Sequence, residues 1–267
     1  MQRSVASRLV FTVQPQTAVV LNLAVAQLGY DSLEEELSIR SGETELDYRE
    51  LVDVHGGRLF ALDLPNSAEV TVDYRATVLG QAADEETTEQ DLIRYVRPSR
   101  YCESDRLLPT AYAEFPGLRG LALLDAVRVW VAQELRYISG SSRGTDGAVE
   151  ALLARRGVCR DFAHLVVSML RAKDVPARLA AVYAPGLAPM DFHAVAEAWV
   201  DGSWYVLDAT GLAPRASMVR ISTGRDGSDT AFLSTVGGSA SLKELSVSAV
   251  VDGELPEEDP SALVVMG

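Results

Sequence analysis

The sequence predicts an α+β protein: an antiparallel β-sandwich at the N-terminus, then a block of helices packed on a second antiparallel sheet. Three observations carry this expectation. The first eighty residues are short β-type runs cut by turn formers. Past residue 90 the apolar residues recur at three- and four-residue spacing. After Pro176 strand-like runs return, two of them joined across Asp201-Gly202, a strong short-range hairpin signal. Helices grouped first and strands grouped afterwards argue against an alternating βαβ fold.

The runs of the first domain are Ser7–Val13, Val19–Ala26, Glu36–Arg40, Leu46–Val54, Arg58–Leu64 and Ala68–Val78, parted by Gln14-Pro15, Ser41-Gly42, His55-Gly56-Gly57 and Pro65-Asn66. Gly80–Gln90 is polar and acidic and reads as a linker. The expected domains are therefore residues 1–80 and 91–267. In the second, Leu121, Leu124, Val127, Val131 and Leu135 form the buried stripe of an amphipathic helix. A shorter helix is expected over Ala148–Ala154, capped by Thr145 or Asp146. A third runs from Cys159 to Ala172 and is stopped by Pro176. Strands follow at Arg178–Tyr183, His193–Val200 and Trp204–Leu207.

Composition narrows the function classes. The 267 residues suffice for a well-buried core, and 48% hydrophobic with 23% charged residues is an ordinary globular balance. Asp and Glu number 38 against 24 Lys and Arg, so a nucleic-acid backbone or an anionic bilayer would be repelled. With no bilayer-length apolar stretch and no signal-peptide core at Met1–Val5, the cytoplasm is the expected compartment. Two cysteines cannot build a disulfide framework, which directs attention to thiol reactivity. Three histidines without Cys-x-x-Cys or His-Glu-x-x-His spacing point away from zinc, and no Gly-rich loop indicates a nucleotide. No cofactor or metal is expected.

Cys159 follows a glycine turn, Arg156-Gly157-Val158, and opens a helix. Free N–H groups and the helix dipole at that end favour the thiolate, and Arg160 adds a positive charge. A lone cysteine is more commonly a buried structural residue, so the partners decide. His193 begins a strand and Asp208 ends the next. Across a two-residue hairpin loop both side chains leave the same face as diagonal neighbours, within reach of a carboxylate–imidazole hydrogen bond. Such a carboxylate fixes the ring tautomer and stabilises the imidazolium formed when histidine takes the thiol proton. His164 lies five residues beyond Cys159, turned away on the helix, and reads as packing. His55 reads as a hairpin-turn residue.

The runs Gly157-Val158-Cys159-Arg160-Asp161-Phe162-Ala163-His164-Leu165, Val175-Pro176-Ala177-Arg178, Asp191-Phe192-His193-Ala194 and Trp204-Tyr205-Val206-Leu207-Asp208-Ala209-Thr210 resemble, in that order, the bacterial transglutaminase-like proteins, often described as candidate cysteine proteases. Arg97-Pro98-Ser99-Arg100-Tyr101-Cys102 looks like the family's segment after its β-rich N-terminal domain. Pro214-Arg215, Gly224-Arg225-Asp226 and Asp229 look like its segment after the catalytic aspartate. His55-Gly56-Gly57 departs from the family's more aromatic Gly-Asn turn.

The resemblance implies a papain-like core with Cys159 as nucleophile, His193 as base and Asp208 as orienting acid. It puts Tyr101 and Cys102 along the cleft or in its packing, and Arg160 and Asp161 among the cleft-lining residues. The expected reaction is thioester-forming attack on a peptide or protein amide, resolved by water. Resolution by an amine, as in a protein-glutamine transglutaminase, is the alternative. A non-catalytic peptide-binding module is the second class, against which the intact Cys, His and Asp argue.

Overall fold

The computed structural model describes residues 1–83 and 85–266. The first strand, β1 (Gln2–Val13), buries every second residue, the period-two pattern of a strand with one face on a core. β2 (Thr17–Leu21), β3 (Ser32–Ser41), β4 (Thr44–Glu45), β5 (Arg49–Val52), β6 (Arg58–Leu64) and β7 (Ala68–Leu79) complete the N-terminal strands. The expected Leu46–Val54 strand is shorter, because Val54–Gly56 is a 3-10 turn with His55 at φ 55°.

Helices α1 (Glu89–Val96), α2 (Ser104–Glu114) and α3 (Gly120–Glu134) follow, then β8 (Arg136–Tyr137), α4 (Ala148–Ala154), β9 (Arg156–Gly157) and α5 (Cys159–Ala172). The cap of α4 differs from expectation. Glu150 accepts the Gly147 N–H at 3.1 Å, while Asp146 turns back to the Arg143 N–H at 2.9 Å. The remaining strands are β10 (Ala177–Tyr183), β11 (Phe192–Val200), β12 (Ser203–Leu207), β13 (Val219–Gly224), β14 (Leu233–Val236) and β15 (Ala240–Val251).

The expected division at residues 80 and 91 does not describe these strands. β15 pairs antiparallel with β1 at the edge of the sheet β15-β1-β7-β3-β4, and β14 pairs with β2 in the sheet β14-β2-β6-β5. The C-terminal strands thus belong to the sandwich. The third sheet, β12-β11-β10-β13, is covered by α5 on one face and shares the sandwich core through the other: Tyr183, Val219 and Ile221 are buried among Leu9, Phe11 and Val72. The Tyr183 hydroxyl donates to the Leu23 carbonyl at 2.8 Å. A sheet buried on both faces explains the near-continuous apolar run of β10.

The acidic stretch expected as a linker is bolted down instead. Glu85 takes both terminal nitrogens of Arg178 at 2.6 Å each, accepts from Arg220 at 2.8 Å and faces His55 Nδ1 at 2.7 Å. Arg178 and Arg220 both reach Glu197 as well. The Arg178 guanidinium lies 4.1 Å over the Trp204 ring, whose Nε1–H donates to Thr87. His55 is therefore more than a turn residue, being buried against the charge that joins sandwich to core. Burial disfavours the Glu85 anion, but hydrogen bonds from Arg178 and His55 outweigh it and hold the carboxyl far below its ordinary 4.5.

A carboxylate whose folded-state pKa is depressed stabilises the fold above its unfolded value and loses that contribution as pH falls. Glu85→Ala leaves two buried guanidiniums short of a partner, and denaturant unfolding at pH 7 should register a loss of roughly 3–5 kcal/mol. The gap to wild type should narrow below pH 4. A change within experimental error at pH 7 would make the cluster incidental.

Candidate active site

The site is built around the first turn of α5. Asp161 reaches back to accept the Val158 N–H at 2.8 Å, and its side chain, from Cβ to carboxylate, comes within 2.6–3.0 Å of where a Cβ on Gly157 would stand. Only glycine fits at residue 157, and the tight approach sets Cys159 as the first helical residue. The helix behind it is buried from Asp161 to Ala172, so the thiol sits on a fixed support with its own side chain half-buried.

His193 pairs with Val182 of β10 at the start of β11. The register Trp199↔Trp204 and Val200↔Ser203 makes His193 and Asp208 the diagonal neighbours expected from the hairpin. His193 Nε2 lies 2.9 Å from Asp208 Oδ2. The other carboxylate oxygen accepts the Thr210 N–H at 2.8 Å and its hydroxyl at 2.7 Å. With Nε2 committed to Asp208, Nδ1 is left for the Cys159 thiol, with which the imidazole is hydrogen-bonded. His193 is 2% exposed and Asp208 6%.

Burial opposes charge on the imidazole, but the hydrogen bonds and charges of Asp208 and Cys159 prevail and push His193 up to about 10. Burial likewise opposes the Asp208 anion, and the imidazole and Thr210 hold that carboxyl below its ordinary value nonetheless. At neutral pH the proton rests on the ring. A cysteine sulfur beside an imidazole that a buried carboxylate orients is the arrangement that prepares a nucleophile for attack on carbonyl carbon.

The other expected site residues are distributed differently. Asp161 is fully buried as the cap of α5. Arg160 is turned to the Ser142 hydroxyl at 3.3 Å and the Arg143 carbonyl at 2.9 Å. Tyr101 stacks on His164 at 5.6 Å, more than a helical turn along α5 from Cys159. Cys102 is fully buried in the helical core, where desolvation pushes its thiol up to about 12. It lines no cleft, because the start of α2 packs it inward. His164 accepts the Gly227 N–H at 2.9 Å, and burial lowers it to about 3, keeping it neutral.

One neighbour escaped the sequence reading. Tyr137 of β8 pairs with Gly157 of β9, and its hydroxyl is hydrogen-bonded to the Cys159 backbone N–H. Burial and the nearby Cys159 and Asp191 charges raise its pKa, so the phenol keeps its proton. Its only trace in the sequence is an aromatic residue directly after a helix. Thr210 was readable, since Asp-x-Thr is the pattern of a side chain that folds back on its own turn.

Residues 119–209 match the model of the transglutaminase-like superfamily. A crystal structure of a candidate cysteine protease from Cytophaga hutchinsonii is 30% identical, covering 98% of this chain and 96% of that one, with a TM-score of 0.85. An uncharacterized protein of Mycobacterium leprae is 29% identical over 137 residues, 47% of this chain and 48% of its own length. One of Mycobacterium tuberculosis is 45% identical over 58 residues, 22% of this chain and 17% of its own. The chain thus matches about half or less of the length of these curated relatives.

The two cysteines should separate sharply under iodoacetamide. At pH 6 Cys159 should be alkylated on the order of 10²-fold or more faster than Cys102, by peptide mapping. Its rate should change again as the imidazolium deprotonates near about 10. Equal and slow modification of both cysteines would remove the activated nucleophile.

Proposed function

The chain belongs to the transglutaminase-like superfamily, and from that premise we propose that it is a thiol hydrolase of amide bonds, with Cys159 as nucleophile, His193 as acid and base, and Asp208 as the orienting carboxylate. The observation that carries this is the Cys159–His193–Asp208 line, its histidine and aspartate buried and its thiol half-exposed, in which the imidazole is hydrogen-bonded to Asp208 through Nε2 and to Cys159. The substrate class is a peptide or protein amide.

In this reading the Cys159 sulfur attacks the carbonyl carbon and the carbonyl π electrons move to oxygen. The developing oxyanion takes the place of the Tyr137 hydroxyl at the Cys159 N–H, and the displaced phenol supplies a second donor. Collapse of the tetrahedral intermediate breaks the C–N bond as His193 gives its proton to the leaving amine. A thioester on Cys159 remains. Neutral His193 then takes a proton from water as the water oxygen attacks, and the second collapse expels the thiolate and leaves a carboxylic acid. Throughout, Asp208 keeps Nδ1 aimed at the sulfur and compensates each imidazolium.

Water is the acceptor in this reading because it is always present. Hydrolysis in ¹⁸O-enriched water should place label in the new carboxylate, and mass spectrometry should find no amine adduct when a primary amine is added. Adduct formation at the expense of acid would make the enzyme a transamidase.

On an amide substrate found by screening, Cys159→Ala and His193→Ala should fall to background, while Asp208→Ala should retain a residue of activity, down on the order of 10⁴-fold. The Cys159→Ala/Asp208→Ala pair should be no worse than Cys159→Ala, because groups acting as one unit do not add. Tyr137→Phe should lower kcat by about 10²-fold with KM little changed. Full activity in Asp208→Ala would move the orienting role to another acid, and full activity in Tyr137→Phe would remove the second donor.

A further inference from the structure

The two segments that resemble the family outside its catalytic run, Arg97-Pro98 and Gly224-Arg225-Asp226, meet at a cavity of about 450 Å³ between α1 and the loop after β13. Its lining is Gln90, Ile93, Arg94, Arg97, Pro98 and Arg225. Among the described residues three guanidiniums and no acid line this cavity, in a chain of formal charge −14. Arg94 shares its charge with Asp91 at 3.1 Å, and Arg225 with Asp229 at 2.9 and 3.0 Å. Arg97 is exposed, and among the described residues its guanidinium has no ion pair. Its carbonyl accepts from Arg171 at 3.1 Å.

Arg94 and Arg225 also line a second cavity of about 440 Å³, whose wall includes Asn22, Tyr95 and Thr223 together with the carboxylates Asp53 and Asp229, so the acid-free anion end is the first cavity. Asn22 is 2% exposed. Its Nδ2 donates to the Ser222 hydroxyl at 3.0 Å, but its Oδ1 has no partner among the described residues. Buried carbonyl oxygens are ordinarily satisfied, and this acceptor calls for a donor. Guanidinium groups at one end suit an oxyanion, which they bind through paired N–H donors.

We propose that the two cavities, which share Arg94 and Arg225 in their walls, together bind a small ligand carrying a phosphate or carboxylate, held by Arg94, Arg97 and Arg225, and a hydroxyl or amino group that donates to Asn22 Oδ1. The site is separate from the Cys159 centre and does not depend on the reading of that centre. It touches the same support, because the loop that carries Arg225 also carries Asp226, which accepts the Tyr101 N–H at 3.0 Å, and Gly227, which donates to His164 of α5.

Isothermal titration of the full chain at physiological salt tests this with three probes: inorganic phosphate, glycerol 3-phosphate and glycerate. Glycerol 3-phosphate or glycerate should bind saturably at one site, and more tightly than inorganic phosphate, which has no hydroxyl arm for Asn22. The two organic probes distinguish phosphate from carboxylate as the anion. Arg94→Gln/Arg97→Gln should weaken binding at least about tenfold. Both side chains reach solvent, so folding should be kept, with an unchanged melting temperature as the check. Arg128→Gln, on the distant helix α3, should change nothing. The proposal is overturned if no probe saturates up to about 10 mM, or if the double variant binds like wild type, or if Arg128→Gln weakens binding equally.

Discussion

Four buried charges hold the molecule together. Arg178 and Arg220 stand on neighbouring strands of the core sheet, Glu197 stands beside Arg178 across the β10–β11 pair, and Glu85 closes the set from outside the sheet. Removing such charges from water is expensive unless every one is paired and its geometry is good. Here each carboxylate meets both guanidiniums, so the cost is met within the set. The arrangement demands that the segment before α1, the His55 turn of the sandwich and strands β10, β11 and β13 all be in place together. It is a condition on the whole fold, and it specifies how the sandwich seats on the core sheet.

The reactive centre inherits that seating. β10 is fixed by Arg178 at one end and by the Tyr183 hydroxyl at the other. β11 pairs along its length, so His193 is placed by strand register and not by a loop. On the opposite side of the contact α5 is sealed over most of its length, and Gly157 with Asp161 determines where it begins. A thiol at a helix start and an imidazole at a strand start, each on a rigid element, give the sub-ångström positioning that acyl transfer needs.

The parts legible in the sequence were those where one signal dominates. The Cys159–Ala172 helix agrees with its expected ends because a glycine turn, an apolar face and Pro176 all indicate the same span. The His193–Asp208 relation follows from Asp201-Gly202, since a two-residue loop leaves one register. What escaped had competing signals. Helix α1 begins at the end of the acidic stretch, where Thr88-Glu89-Gln90-Asp91 forms a capping box. Pro109 inside α2 disguises it as a break. β14 and β15 return to the sandwich from more than 150 residues away in sequence, a pairing that no local pattern encodes. Tyr137 was invisible for the same reason, as its place beside Cys159 depends on the two-residue contact of β8 with β9.

The two cysteines show why composition could raise the question of reactivity without answering it. Cys102 and Cys159 are the same group in one molecule, and both stand at or next to the start of a helix. Cys102 is folded under α2 into a region of leucine and valine, where an anion has no water and the raised pKa keeps it a thiol. Cys159 is half-exposed, hydrogen-bonded to an imidazole that carries a proton at neutral pH. The helix terminus is common to both and therefore cannot be the deciding factor. The difference is the paired cation, and that cation is maintained by Asp208, which Thr210 holds in turn. Reactivity at Cys159 is thus a property of the hairpin as much as of the helix, and a change at Thr210 reaches the sulfur through three hydrogen bonds, by way of Asp208 and His193.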